Sequence, residues 1–163
     1  IPYNGACFGR FFLHNLKYTD PVILKKVAEA GLTPLHVKQG YTGCSTVVVD
    51  ENSIITADHG IAAAAASHGI DTLLIGAGHV RLDGHAYGFL GGASGRIGGQ
   101  ILFNGDLSAH PDCGSIRRFI AGKGLEAVYF KEYPLEDIGS VIAVEPKAPD
   151  APHRSDRPTG VPL

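Results

Sequence analysis

The chain has 163 residues, a net charge of −2, 44% hydrophobic and 18% charged residues. That length suits one domain with an adequate core, and no apolar run approaches the roughly 20 residues that a membrane span requires. Lysines and arginines cluster no further than pairs, so neither a nucleic-acid footprint nor a membrane-surface footprint is present.

In chain order, Phe11-Phe12-Leu13-His14 reads as a strand. A helix follows from Asp20 to Ala30, with Thr19 or Asp20 as cap and Pro21 in the first turn, where its missing N–H has no helical partner anyway. Gly31 ends it, and the apolar stretch Leu32 to Val37 makes the next strand. Thr46 to Val49 is β-branched, the mark of a strand buried on both faces. Ile54 to Ala57 is a further strand, and the helix His59 to His68 carries the alanine run 62–66 and stops at Gly69. Thr72 to Ile75 repeats the buried-strand pattern. After a glycine-rich stretch from 84 to 99 come the strand Ile101 to Asn104, the helix Asp112 to Lys123 with Ile116, Phe119 and Ile120 on one face, Gly124, and the strand Leu125 to Phe130. Arg117 and Arg118 fall off that face, towards water.

The same order is thus written three times, as strand, strand, helix closed by glycine, strand, with second strands starting at 11, 54 and 101. Such self-similarity marks a repeat architecture. The units span about 3–40, 43–78 and 88–144, within one α/β domain 1–144. Residues 145–163 hold five prolines among charges without apolar periodicity and read as a mobile tail. Cys7, Cys44 and Cys113 are odd in number and far apart, which fits a reducing, cytoplasmic setting better than a disulfide framework or a zinc site. No methionine opens the chain, so processing or an upstream segment is expected.

The repeated unit resembles that of the pentein, or guanidino-group-modifying-enzyme, superfamily: arginine deiminases, dimethylarginine hydrolases, amidinotransferases and a ribosome anti-association factor. The segments Val37-Lys38-Gln39-Gly40-Tyr41-Thr42-Gly43-Cys44-Ser45 and Gly88-Phe89-Leu90-Gly91-Gly92-Ala93-Ser94-Gly95 are similar to a bacterial branch of it. The resemblance implies an α/β propeller whose ring closes with five units. Three are written here, which implies a homo-oligomer, a partner chain, or two units missing upstream. In the superfamily's enzymes a cysteine attacks the guanidinium carbon, a histidine moves the proton and carboxylates hold the cation. His79, in Gly78-His79-Val80, matches the histidine. The nucleophile's register falls near Ile138-Gly139-Ser140, with no cysteine, and Gly43-Cys44-Ser45 stands where the acid pair belongs.

Cys44 is therefore either a small buried hydrophobe, the commoner fate of a free cysteine, or a nucleophile paired with His79 across the central channel. Asn4, Ser45 and Ser94, at matching points of the three units, together with Gln39, Arg81 and His79, are the expected ligand-binding set. Arg81 has a local salt bridge with Asp83 as its simpler fate. His36, His59, His85 and His110 lack metal-site spacing and read as structural or exposed, and no metal or cofactor is expected. Gly76-Ala77-Gly78 lacks the third glycine of a dinucleotide fingerprint, and Ser94 is not in a nucleophile elbow. The expected function is a catalytically degenerate pentein-like domain that binds a small polar ligand, a guanidine among the options, or a partner, at its axial channel. The alternative is a Cys/His-dependent guanidine or amide hydrolase or amidinotransferase.

Overall fold

Three glycines with nearly the same backbone set the rhythm of the structure. Gly31, Gly69 and Gly124 lie just past the three helices at φ of 67°, 72° and 73°, a left-handed conformation that a β-carbon would strain. Each closes its helix in the same way: the glycine N–H bonds back to Ala28, Ala66 or Ala121, and the next residue's N–H reaches one position further, to Val27, Ala65 or Ile120. This double bond satisfies the last carbonyls and turns the chain directly into a strand.

The computed structural model describes residues 1–143; the proline-rich stretch 145–163 lies outside the described residues. The first unit contains β1 (Ala6–Phe8), β2 (Phe11–His14), α1 (Pro21–Glu29) and β3 (Thr33–His36). The second contains β4 (Thr46–Asp50), β5 (Ser53–Thr56), α2 (His59–Ser67) and β6 (Asp71–Leu74). The third contains β7 (Ser94–Ile97), β8 (Gln100–Phe103), α3 (Cys113–Gly122) and β9 (Glu126–Tyr129), with a single 3-10 turn at Leu107–Ala109 before α3. Within every unit the first two strands are antiparallel and the third runs parallel to the second. The result is a mixed α/β fold of three separate three-stranded sheets, and no barrel closes among the described residues.

The helices interlock the units. Ile61 and Ala65 of α2 share one buried cluster with Leu13 and Leu35 of the first sheet and Ile54 of the second. Likewise Ile116 and Ile120 of α3 join Val47, Val49 and Ile55 of the second sheet to Ile101 and Phe103 of the third. Each of these helices is therefore held between its own sheet and the preceding one. The two ends of the array show what happens where a neighbour is absent. Leu13 and Ile55 are fully buried, whereas Leu102, at the same register, is partly exposed. At the other end α1 places exposed Lys26 where α2 and α3 place packed Ala64 and Phe119, so its outward face is charged.

The first strands β1, β4 and β7 come together around a common cavity of about 510 Å³, lined by Ala6, Cys7, Val48, Gly95 and Arg96 among others. Residues Ser140–Ala143 run into it, with Val141 N–H bonded to the Ser94 carbonyl. Two expectations need correction here. Thr72 to Ile75 is not buried on both faces: β6 is the outer edge of its sheet, and Leu74 is 42% exposed. Ser94 does not match Asn4 and Ser45 either. It pairs with Phe103 as Thr46 pairs with Thr56, which shifts it by one residue and turns it to the opposite face.

Candidate functional site

At the carboxyl ends of the parallel pair β5 and β6 the chain leaves a cavity of about 110 Å³. That is several times the roughly 10–15 Å³ a single water needs. This end of a parallel strand pair is where open α/β sheets gather ligands, because loops and helix N-termini converge there. Ala57 and Asp58 follow β5 into its wall, and the stretch Ile75 to Val80 follows β6.

Asp58 serves two structures at once. Its Oδ1 accepts the N–H of Ile61 at 2.8 Å and caps α2, while Oδ2 accepts from Gln39 Nε2 at 3.3 Å. Gln39 in turn accepts the Tyr41 N–H at 3.0 Å, so its amide is a strut tying the end of the first unit to the second. Beneath them Thr56 Oγ1 donates to the Ser45 carbonyl at 2.7 Å and accepts the Asp58 N–H at 3.1 Å. Ser45 also lines the cavity, yet its own hydroxyl is buried without a partner. Leaving a buried polar group unpaired costs about 1–3 kcal/mol, and such a group is a standing offer of a hydrogen bond to whatever enters.

The opposite wall comes from the third unit. His110 is 4% exposed, and its ring stands 5.0 Å from that of exposed His79, edge to face at 68°. Its Nδ1 accepts the Asp112 N–H at 3.0 Å, which leaves Nε2 to carry the proton. Burial holds its pKa below the ordinary 6.5, and His79 pushes it the same way, while Asp112 and a bond to the Gly76 backbone oppose them. Asp112 sits at the N-cap of α3 but makes no cap bond; its Oδ2 takes the Gly76 N–H at 2.7 Å. The loop after β6 is thus clamped by residues more than 30 positions away. No lysine or arginine lines this cavity, so its one formal charge is the carboxylate of Asp58.

The expected site residues do not all meet. Gln39, Ser45 and His79 share this cavity. Cys44 is buried and lines a separate groove of about 660 Å³, where Asn4 grips it from both sides: Asn4 Nδ2 donates to Sγ at 3.2 Å, and Asn4 Oδ1 accepts the Cys44 N–H at 3.1 Å. Cys44 and His79 share neither a cavity nor a hydrogen bond. Ser94 lines the axial cavity. Arg81 is exposed, bonded to Asp83 at 2.8 Å and 3.9 Å from Glu136, away from all three spaces. Asp58 and His110 were missed, the first because a lone aspartate ahead of a helix carries no sign of a pocket, the second because its neighbour His79 is 31 positions away.

The site can therefore bind a small polar or cationic group between a carboxylate, a neutral buried imidazole and an unpaired hydroxyl, with His79 free at the mouth. Among the described residues no group of three or more histidine, cysteine or acidic side chains is arranged to hold a metal ion, and no helix is long and apolar enough to cross a membrane. Residues 1–142 match a family of unknown function, DUF6873. The chain belongs to that family. No curated protein and no solved structure matches it.

Proposed function

We propose that this chain is a pentein-like domain that binds a small cationic ligand, of the guanidine or amine class, in the cavity between Asp58, His79 and His110, and does not turn it over. The observation that carries the proposal is the pairing of a carboxylate that no cationic side chain of the lining neutralises with the buried, partnerless hydroxyl of Ser45 in one pocket. Tyr87 and Phe89 add aromatic walls, which favour a desolvated cation. Support for the pentein relationship is architectural: three ββαβ units whose first strands share a central cavity and whose helices α2 and α3 each cover the sheet before. A homo-oligomer or further units completing the array, and residence in the cytoplasm, belong to the same proposal. The partly exposed Leu102 and the three unpaired cysteines support them.

The hydrolase alternative needs a thiolate within reach of a base. Cys44 is gripped by Asn4 and opens to a different space from His79; His85 lines the groove with it, but the thiol's hydrogen bond is to Asn4. Calorimetry with arginine, agmatine and methylated arginines, alongside a citrulline and ammonia assay, separates the two. Binding without product, lost in Asp58→Asn, is the expected outcome. Turnover abolished by Cys44→Ala would overturn it.

A further inference from the structure

The groove beside Cys44 is six times the volume of the polar cavity and chemically its opposite. Its lining includes Tyr41, Tyr87, Phe89, Leu82, Ile138 and His85. Its acidic group, Asp137, is held by two short backbone bonds, from the Phe89 N–H to Oδ2 and the Gly139 N–H to Oδ1, both 2.9 Å, whereas Oδ2 of Asp58 has only the 3.3 Å bond from the Gln39 side chain. The thiol of Cys44 is held by Asn4. What remains for an incoming molecule is mainly ring surface.

That ring surface is arranged in advance. Tyr41 and Phe89 stack with centroids 6.2 Å apart at 27°, although Tyr41 is 50% exposed and Tyr87 is 45% exposed. The Asp137 bond fixes the backbone of Phe89, and the stack on Phe89 orients Tyr41, so this pair needs less ordering on contact, which is where binding free energy is otherwise lost. Tyr87 and Phe89 line the groove and the polar cavity alike, so the two spaces adjoin on either side of the same two rings. Neither space is lined by a lysine or an arginine, and an anionic ligand would find no counter-charge in either.

We infer that the groove is a second subsite that stacks a flat aromatic group attached to the cation held by Asp58, so that the natural ligand is an aryl-bearing amine or guanidine rather than a bare polar one. This rests on the ligand reading given above for the polar cavity. The groove supplies the outward ring faces of the half-exposed Tyr41 and Tyr87, and Asp58 supplies the charge.

The test uses the full chain and three probes: methylguanidine for the head alone, 2-phenylethylguanidine for head and ring, and 2-phenylethanol for the ring alone. Calorimetry should give an affinity about tenfold higher for phenylethylguanidine than for methylguanidine, and little binding of the alcohol. Tyr41→Leu should remove most of that gain and leave methylguanidine unchanged, while Tyr41→Phe should keep it. Equal affinities for the two guanidines, or a gain indifferent to Tyr41→Leu, would overturn the subsite and leave the polar cavity's role intact. Binding of neither guanidine would overturn both.

Discussion

The polar cavity and the axial cavity differ in what builds them. Around the axis, three first strands meet largely through backbone and small residues: a β-carbon on Gly91 would lie 2.5 Å from the carbonyls of both Cys44 and Thr46, and one on Gly95 would strike the Val141 carbonyl. The space beside β5 and β6 is instead built from side chains with unfinished chemistry: a carboxylate, two imidazoles and an unpaired hydroxyl. The first cavity lies among the first strands of all three units, whereas the second is walled by Gln39 of the first unit, Ser45 and Asp58 of the second and His110 of the third. A repeat thus supplies a scaffold, and departures from it supply a site.

The largest expected effect breaks the axial side of this comparison. Gly91→Ala pushes a methyl group into two backbone carbonyls that cannot swing away, and should cost about 3 kcal/mol in urea denaturation or prevent folding. Next, Asp58→Ala should cost about 1 kcal/mol through the lost cap of α2, while Asp58→Asn, an equally good cap, should keep stability and lose ligand. Comparing the two variants by thermal melting and calorimetry separates the roles of one carboxylate.

A pH dependence sharpens the polar side. His110 and His14 are both held below 6.5, chiefly by burial. The unfolded chain therefore takes up protons first as pH falls. Stability should be complete above about pH 6.5 and decline below it towards the lower folded values, and His110→Gln should flatten part of that decline in urea midpoints measured between pH 7.5 and 5. Smaller still, Ser45→Ala removes a buried hydroxyl that bonds to nothing, so it should leave stability unchanged or slightly raised while weakening ligand binding. Ser140 sits at φ 103° where a glycine is at ease, and Ser140→Gly should stabilise by about 0.5–1 kcal/mol.

The repeat was legible because its punctuation is local. A glycine after a helix and an apolar run after the glycine are signals within a few residues, and Gly31, Gly69 and Gly124 carry them three times. The pocket was legible only in part: Gln39, Ser45 and His79 lie together at the carboxyl ends of β5 and β6, not with Asn4 and Ser94 at a central channel as expected. The position of Ser94 was not, because only the cross-strand pairing shows that Ser94 stands opposite Phe103 as Thr46 stands opposite Thr56, one position away from Ser45. Nor was the clamp of His110 and Asp112 on Gly76, since nothing near residue 110 says which loop will lie against it. Asp112 reads in sequence as the opening residue of a helix and spends its carboxylate elsewhere in the fold.

The decisive measurement is a backbone amide NMR titration of the full chain with agmatine. If the polar cavity takes the ligand, shift changes concentrate at residues 57–60, 76–80 and 110, and they vanish in Asp58→Asn. Changes concentrated at residues 5–7, 46–48 and 94–96 would place the ligand on the axis and contradict this assignment.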